Sequence, residues 1–347
     1  APKTCDDSLD VALFRSPRRP LAGQPLRVVA VSTEDQRPAG LFLTDPAGQR
    51  HSPEFADLGV GPFARVATLS APMAGRWTVQ YADGGRVIAC ERFLVHRRAA
   101  ADEDETARGT EEPAWLARWR WERDVEGLYS AFVEQLFSHP VQDERTWDGL
   151  MELLRDPERN LLHDHLGLDE DRRLRLRPDC ADLPYFLRAY FAWKVGLPFA
   201  YRRCRRGRAG QPPRCSEPIS NETPTEGDDP VAAFERYVRR GVGRGVHSAS
   251  GRTLPDDENS DMYPLPLQRE ALRPGSVFND PYGHLIVVAK WVPQGLGGKG
   301  MLLGADAQPD ATVGRRRFWR GSFLFVSDTT DVGAGFKAFR PLVRDPE

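Results

Sequence analysis

The 347-residue sequence predicts an α+β protein, with an all-β N-terminal domain followed by helices and then further strands. Three observations indicate this fold class. Short β-branched or alternating runs, separated by Gly, Pro and Asp, fill residues 1–96. Apolar residues then recur at three- and four-residue spacing between residues 113 and 199, and strand-like apolar runs return after residue 275. Since a domain holds about 100–200 residues, we expect two domains.

Residues 1–96 are expected to form an immunoglobulin-like β-sandwich, because several short strands follow one another at regular spacing. Asp83-Gly84-Gly85 is a hairpin signal between the last two strands. We interpret this domain as an accessory or spacer unit, with carbohydrate or partner binding as the alternative. The predicted strands are 25–32, 39–46, 63–70, 75–83 and 85–95.

Residues 97–112 (RRAAADEDETARGTEE) predict a charged linker, because charge and Ala dominate and no apolar period occurs. The remaining residues, 113–347, are expected to form one α+β domain that begins with a helical lobe. Within it, residues 201–265 look like a long excursion. The predicted helices are 113–140, two pieces of 146–168 divided near Pro157, the stretch after Cys180, and 229–241 with Gly241 as its cap; the predicted strands are 276–280, 284–292, 300–306 and 321–328.

Charge and hydropathy exclude two broad classes of function. Lys and Arg total 48 against 50 Asp and Glu, a net charge of −2, so bulk attraction to nucleic acid is not expected. No apolar run approaches the roughly 20 residues of a membrane helix, so no integral membrane segment is expected.

The five cysteines would form disulfides in an oxidising compartment. The chain begins without Met, as a processed exported protein or a trimmed chain would, and we expect a periplasmic or extracellular location. Five thiols allow two disulfides and one free cysteine. Cys204 and Cys215 bracket a short Gly-, Pro- and Arg-rich loop, while Cys5 and Cys90 lie at opposite ends of the first domain. Cys180 is then the free thiol.

Cys180 is the strongest candidate for chemistry, because it opens a predicted aromatic-rich helix within RLRPDCADLPYFLRAYFAWKVGLPF (173–199). Pro184 is tolerated in the first turn, and Gly196 ends the helix. A thiol there faces unpaired N–H groups and the positive end of the helix dipole, which favour a thiolate. The same groups stabilise an oxyanion. The alternative is a small apolar Cys that packs the helix start.

His284 is the best candidate base among seven histidines, because it follows NDPYG and begins the apolar run LIVVAKW. A thiolate nucleophile needs such a positioned base. The alternative is a histidine that merely ends a strand. The sequence has no CxxC, no HExxH and no carboxylate cluster at ligand spacing, so we expect neither a metal nor another cofactor.

Four phrases in order resemble the NlpC/P60 superfamily of papain-like cysteine peptidases: DCADL (179–183), LRPGSVF (272–278), GHLIVVAKW (283–291) and GMLLGADAQ (300–308). The resemblance covers about 172–328, outside the excursion. It implies a papain-like domain in which Cys180 is the nucleophile and His284 the general base. It also implies a third residue that orients the imidazole: Asp306, with Gln308 and then Asp280 as alternates.

The resemblance implies an exported cysteine hydrolase that cleaves an amide bond in peptidoglycan stem peptides through a thioester on Cys180. Ser276 and Ala181-Asp182 depart from the family pattern and leave the substrate open. The alternatives are a catalytically inactive papain-like protein that binds cell wall or a partner, and an acyltransferase that uses the same thiol.

Six arginines between residues 202 and 214 form a candidate substrate-binding patch. Arg202, Arg203 and Arg205 would pair with substrate carboxylates, and Arg315-Arg316-Arg317 would extend the patch. The alternative is a solvated loop in an Arg-rich protein.

Overall fold

The structure, a computed structural model, describes residues 11–36, 38–97, 113–208, 210–224, 229–280, 284–295, 300–318, 333 and 335–342. Cys5, the predicted strand 321–328 and nearly all of the predicted linker 97–112 lie outside these residues. In the part of the chain that is described, no helix is long and apolar enough to cross a membrane.

Residues 11–95 form a β-sandwich of two antiparallel four-stranded sheets, which confirms the predicted N-terminal sandwich. The order β1-β2-β6-β5 in one sheet and β4-β3-β7-β8 in the other is that of an immunoglobulin fold with strands ABED and C′CFG. The strands are β1 (Val11–Ser16), β2 (Leu26–Ser32), β3 (Gly40–Thr44), β4 (Arg50–His51), β5 (Phe55–Leu58), β6 (Phe63–Leu69), β7 (Gly75–Asp83) and β8 (Arg86–Val95).

The hairpin between β7 and β8 turns where the sequence indicates it. Asp83 pairs with Arg86, and Gly84 and Gly85 both have positive φ, 51° and 88°. Two consecutive positive φ angles are typical of the two-residue turns that match strand twist, and glycine adopts them without strain.

The C-terminal region combines helices with a second sheet. Its helices are α1 (Arg123–Leu136), α2 (Leu150–Leu154), α3 (Glu170–Arg173), α4 (Asp182–Val195), α5 (Pro230–Arg236), a π-helix (Tyr237–Val242) and α6 (Gly243–Gly245). Its strands are β9 (Arg145–Trp147), β10 (Ala200–Tyr201), β11 (Ile219–Ser220), β12 (Met262–Pro264), β13 (Val277–Asn279), β14 (Leu285–Val292), β15 (Met301–Ala307), β16 (Val313–Arg317) and β17 (Gly335–Phe339).

Seven of these strands form one antiparallel sheet in the order β12-β17-β13-β14-β15-β16-β9. Helices α1 and α4 pack on one face, where Leu285, Val287 and Ala305 join the main hydrophobic core. The other face carries a separate apolar cluster that includes Phe278 and Val288. Helices on one face of an antiparallel sheet define an α+β architecture, so the predicted class is confirmed.

The sandwich packs directly on the C-terminal region through strand β2. Val28 and Ala30 face the core of the sandwich, whereas Val29 and Val31 belong to the core that contains α1. A strand buried on both faces is a nearly continuous apolar run, as LRVVAVS is. The two parts of the chain therefore share a hydrophobic interface.

The helix predicted over 113–140 is shorter than expected, because α1 begins only at Arg123. Trp115 contributed to the helical pattern, but it is buried in a non-helical segment and donates a hydrogen bond to the Leu197 carbonyl at 2.8 Å. Trp119 is 66% exposed. The four-residue spacing of Trp115 and Trp119 is therefore typical of a helix, although neither residue lies in one.

Two other predicted helices also differ. The segment 146–168 holds part of β9 and the five-residue α2, and its second half forms turns. Gly241 does not cap the helix at 229–241, since it lies inside the π-helix. A Cβ at Gly241 would lie 2.9 Å from the Tyr201 hydroxyl, so the glycine permits a close helix-to-ring contact.

Candidate active site

Asp179 fixes the turn that carries Cys180. Its Oδ1 accepts hydrogen bonds from the backbone N–H groups of Ala181 and Asp182 at 2.9 and 3.1 Å. Its carbonyl accepts from the Leu183 N–H at 3.1 Å, in the turn that leads into α4. Asp179 therefore caps this turn, and Cys180 lies within it, just before α4 begins at Asp182.

The far end of this helix also follows its local signals. Pro184 falls in the first turn, where its missing N–H removes no helical hydrogen bond. Gly196 adopts a left-handed conformation with φ 81° and ends the helix. The sequence thus positions Cys180 locally, through the turn that Asp179 caps and the helix that follows.

Cys180 is a free, half-buried thiol, but its surroundings do not favour the thiolate. Burial raises the pKa of the Cys180 thiol above its ordinary value of 9.0, and the charges of Asp179 and Asp182 raise it further. Backbone N–H groups act in the opposite direction and are outweighed. The expectation of a thiol ionised by the helix terminus is therefore wrong for this resting state.

Asp182 is a second ionisable group at this helix terminus that sequence reasoning missed. Its side chain is buried, and burial followed by the charge of Asp179 raises its pKa to about 7. The neighbouring α6 approaches closely, since a Cβ at Gly243 would lie 3.5 Å from Asp182 Oδ2. The signal in the sequence is the pair of acids that flank the cysteine in Asp-Cys-Ala-Asp.

His284 lies at the start of β14, where it is exposed. Its carbonyl accepts from the Asp280 N–H at 2.9 Å and closes the β13–β14 hairpin. The β14–β15 register pairs Val287 with Ala305, and its extension places His284 opposite Gln308. Residues two apart share a strand face, so His284, Asp306 and Gln308 lie on one face of the sheet.

The Asp306 carboxylate interacts with the side chains of Gln308 and Arg316. Its Oδ2 accepts a hydrogen bond from Gln308 Nε2 at 2.9 Å, and its Oδ1 lies 3.6 Å from Arg316 Nε. Burial raises the pKa of Asp306, while the charges of Arg316 and His284 oppose that rise. The imidazole of His284 is therefore close enough to the Asp306 carboxyl to act on it electrostatically.

The segment that precedes Cys180 reaches the end of the sheet at which His284 lies. Arg177, three residues before Cys180, donates to the Asp310 carbonyl in the β15–β16 turn at 3.3 Å. Among the described residues, however, no hydrogen bond joins the Cys180 thiol to the His284 ring. Helix α4 covers the face of Leu285, and strand alternation assigns His284 to the opposite face.

The Arg-rich loop is closed by the predicted Cys204–Cys215 disulfide, which is confirmed. Arg202 donates to the Ser216 carbonyl at 2.8 Å and to Asn259, so its guanidinium is held by the protein. Arg203 and Arg205 are exposed. Cys90 is also disulfide-bonded.

Arg315 does not extend this patch, because its side chain is buried with 1% exposure. It donates to the backbone carbonyls of Phe137, His139, Pro140 and Asp143, which follow the end of α1, at 3.4, 2.8, 2.7 and 2.7 Å. These contacts pair the backbone carbonyls of the segment after α1 with one buried guanidinium. Arg317 donates to the Gln142 carbonyl at 3.1 Å.

Comparison with known proteins yields little. No family model and no curated protein matches the chain. Matching solved structures include two Titin M10-Obscurin like 1 Ig complexes, one of them a mutant, at 16% and 15% sequence identity. They cover 27% and 28% of this chain and 98% and 100% of theirs, both with a TM-score of 0.19. Within the described ranges, no group of three or more His, Cys, Asp or Glu side chains is placed to hold a metal ion.

Proposed function

We propose that the protein is an exported cysteine hydrolase, with a papain-like domain, that cleaves an amide bond in peptidoglycan stem peptides. One observation carries the proposal. The free thiol of Cys180 follows Arg177, which contacts the β15–β16 turn, and His284, Asp306 and Gln308 lie at that end of β14 and β15. This supports a thiol–imidazole site at one end of the domain.

In the proposed reaction the sulfur of Cys180 attacks the carbonyl carbon of the scissile amide. His284 takes the thiol proton and returns it to the leaving amine, which leaves a thioester on Cys180. Water then attacks the thioester and releases a carboxylate and the thiol. Asp306 and Gln308 hold the imidazole in position.

Without substrate, the Cys180 thiol is protonated and two nearby N–H groups are already hydrogen-bonded, and both facts bear on the proposed reaction. The thiol has a raised pKa, so it is neutral near pH 7 and its proton must pass to His284 as the reaction begins. Asp179 already occupies the N–H groups of Ala181 and Asp182. The oxyanion would therefore be bound by the N–H of Cys180 itself.

The Cys204–Cys215 disulfide supports the proposed export. Disulfides persist in oxidising compartments and are rare in the cytosol of most organisms. A peptidoglycan-like substrate would be met in the same compartment.

The raised thiol pKa and the missing Cys180–His284 hydrogen bond favour a second candidate function. In this alternative the papain-like domain is catalytically inactive and binds cell-wall peptides or a partner protein. The two candidates differ in whether a bond is cleaved.

Cleavage of purified stem peptides by the full chain, compared with Cys180→Ala and His284→Ala, tests the proposal. The hydrolase requires amide cleavage that falls at least about 1,000-fold in Cys180→Ala. Cleavage by Cys180→Ala at the wild-type rate would overturn it. Peptide binding by both proteins without cleavage by either would establish the binding alternative. An added amine acceptor separates acyl transfer from hydrolysis.

A further inference from the structure

A groove of about 530 Å³ on the surface of α5, the π-helix and α6 is lined by five arginines: Arg173, Arg236, Arg239, Arg240 and Arg244. Glu235 is the acid among the described lining residues. The whole chain has a net charge of −2, so this concentration of positive charge is local. We call it the arginine groove.

Two of the arginines are held in place by carboxylates. Arg239 Nη1 donates to Glu235 Oε1 at 2.8 Å, and the other oxygen of Glu235 accepts from the Arg175 N–H at 2.9 Å. Arg173 Nη2 donates to Asp229 Oδ1 at 2.7 Å. Glu235 and Asp229 are therefore already engaged by groups of the protein.

Arg240 and Arg244 complete the groove with exposed side chains. In the part of the chain that is described, neither guanidinium has a carboxylate partner. An unpaired guanidinium presents N–H donors in a planar fork that matches a carboxylate or a phosphate. These two side chains are the ones best able to bind a ligand.

The backbone beneath the groove explains why these arginines point outward. Cβ atoms at Gly241 and Gly245 would lie 2.9 and 2.5 Å from Tyr201, so the inner side of this helical stretch is pressed against the ring. Arg236, Arg240 and Arg244 recur every four residues on the outer side. A π-helix has wider i→i+5 turns and is rare in proteins. The π-helices that do occur are often found at functional sites.

We propose that the arginine groove binds an extended polyanion, a chain whose repeating groups are carboxylates or phosphates. Several guanidiniums along one groove can bind several oxyanions of one chain at once, so a polyanion binds more tightly than a single anion does. This inference does not depend on the thiol chemistry of Cys180, because it concerns binding alone.

Binding of fluorescent poly-glutamate and of inorganic polyphosphate to the full chain tests the inference, with dextran as the neutral polymer. The test variant is Arg239→Gln/Arg240→Gln/Arg244→Gln. The matched control is Arg76→Gln/Arg86→Gln/Arg92→Gln, three exposed arginines of the sandwich. Circular dichroism establishes that both variants fold.

The expected result is binding of at least one polyanion that weakens with salt and falls roughly tenfold or more in the groove variant alone. Binding of only one polymer identifies carboxylate or phosphate as the preferred group. Absence of binding at low salt, or equal loss in both variants, would overturn the inference.

Discussion

Gly127 of α1 lies directly against Val31 of β2, so closely that a Cβ on Gly127 would come within 2.5 Å of Val31 Cγ1. Pro62 approaches the same point from the β5–β6 turn, 3.5 Å from that Cβ position. Further contacts bind the sandwich to the same region, since Arg27 donates to the Asn160 carbonyl at 3.0 Å. The N-terminal sandwich is thus packed against α1, one of the helices that lie on the seven-stranded sheet.

Gly127→Ala is expected to destabilise the protein by about 1–3 kcal/mol, because an added methyl overpacks a tight apolar contact. The loss outweighs the advantage of about 1 kcal/mol that Ala has over Gly in a helix. Urea unfolding measures the change. In Val31→Ala/Gly127→Ala the methyl has room, so the double variant should lose less than the sum of the single changes. Strict additivity would contradict this contact.

Arg315→Lys is expected to destabilise the protein by about 2–4 kcal/mol, since one ammonium cannot serve the four carbonyls that the guanidinium binds. Thermal or urea unfolding measures it. Arg317→Lys, two residues away on the exposed end of β16, is the matched control and should change stability by less than about 1 kcal/mol. Equal effects of the two substitutions would show that the buried guanidinium is not what stabilises the segment after α1.

The sequence predicted those elements whose signals are local. The Asp83-Gly84-Gly85 turn and the alternating strands beside it lie where the pattern indicates. Helix α4 is likewise bounded by the turn that Asp179 caps and by Gly196. Strand β9 was missed, because its three residues become a strand only by pairing with β16, where Trp147 meets Val313. Such long-range pairing has no local sequence signal.

In the candidate site, too, the sequence predicted the features that depend on neighbouring residues and missed those that depend on distant contacts. The position of Cys180 at a helix start follows from neighbouring residues, and the antiparallel pairing of β14 with β15 brings His284 to Gln308 and Asp306. The direction of the thiol pKa did not follow from the sequence, because it depends on burial and on the through-space charges of Asp179 and Asp182. The role of Arg315 was hidden for a similar reason, since its partners are backbone carbonyls far away in the chain.

A buried ionic cluster predicts a specific pH dependence of stability. Lys194 is fully buried and pairs with Glu170 and Asp171. Burial and the neighbouring Glu170 raise the pKa of Asp164 to about 7. A carboxyl whose pKa is raised on folding stabilises the fold fully below its unfolded value, near 3.8, and this contribution is lost as pH rises through 7.

Asp164→Asn removes this titration, and Asn also tolerates the positive φ of 47° at this position. The stability of wild type relative to Asp164→Asn should therefore fall between about pH 4 and pH 8, as measured by urea unfolding at several pH values. Asp310→Asn is the control. The pKa of Asp310 is lowered by hydrogen bonds from Thr312, so its difference from wild type should stay flat over that range. A flat difference for Asp164→Asn would refute the raised pKa.

The reactivity of Cys180 provides the last prediction. Asp179 is the largest single charge that raises the thiol pKa, after burial itself. Asp179→Asn removes this charge and retains the cap, because an Asn side-chain oxygen also accepts from the first-turn N–H groups. The variant should have a lower thiol pKa and a severalfold faster reaction with iodoacetamide near pH 8, followed by mass spectrometry.

Asp182→Asn should act in the same direction, since its charge also raises the thiol pKa. Asp83→Asn, in the sandwich hairpin, should leave the alkylation rate unchanged. A slower or unchanged rate in both Asp179→Asn and Asp182→Asn would mean that accessibility rather than charge limits the thiol. If the rates rise as expected, the two acids hold the sulfur protonated at rest, and catalysis at Cys180 requires the thiol proton to pass to His284 once the substrate is bound.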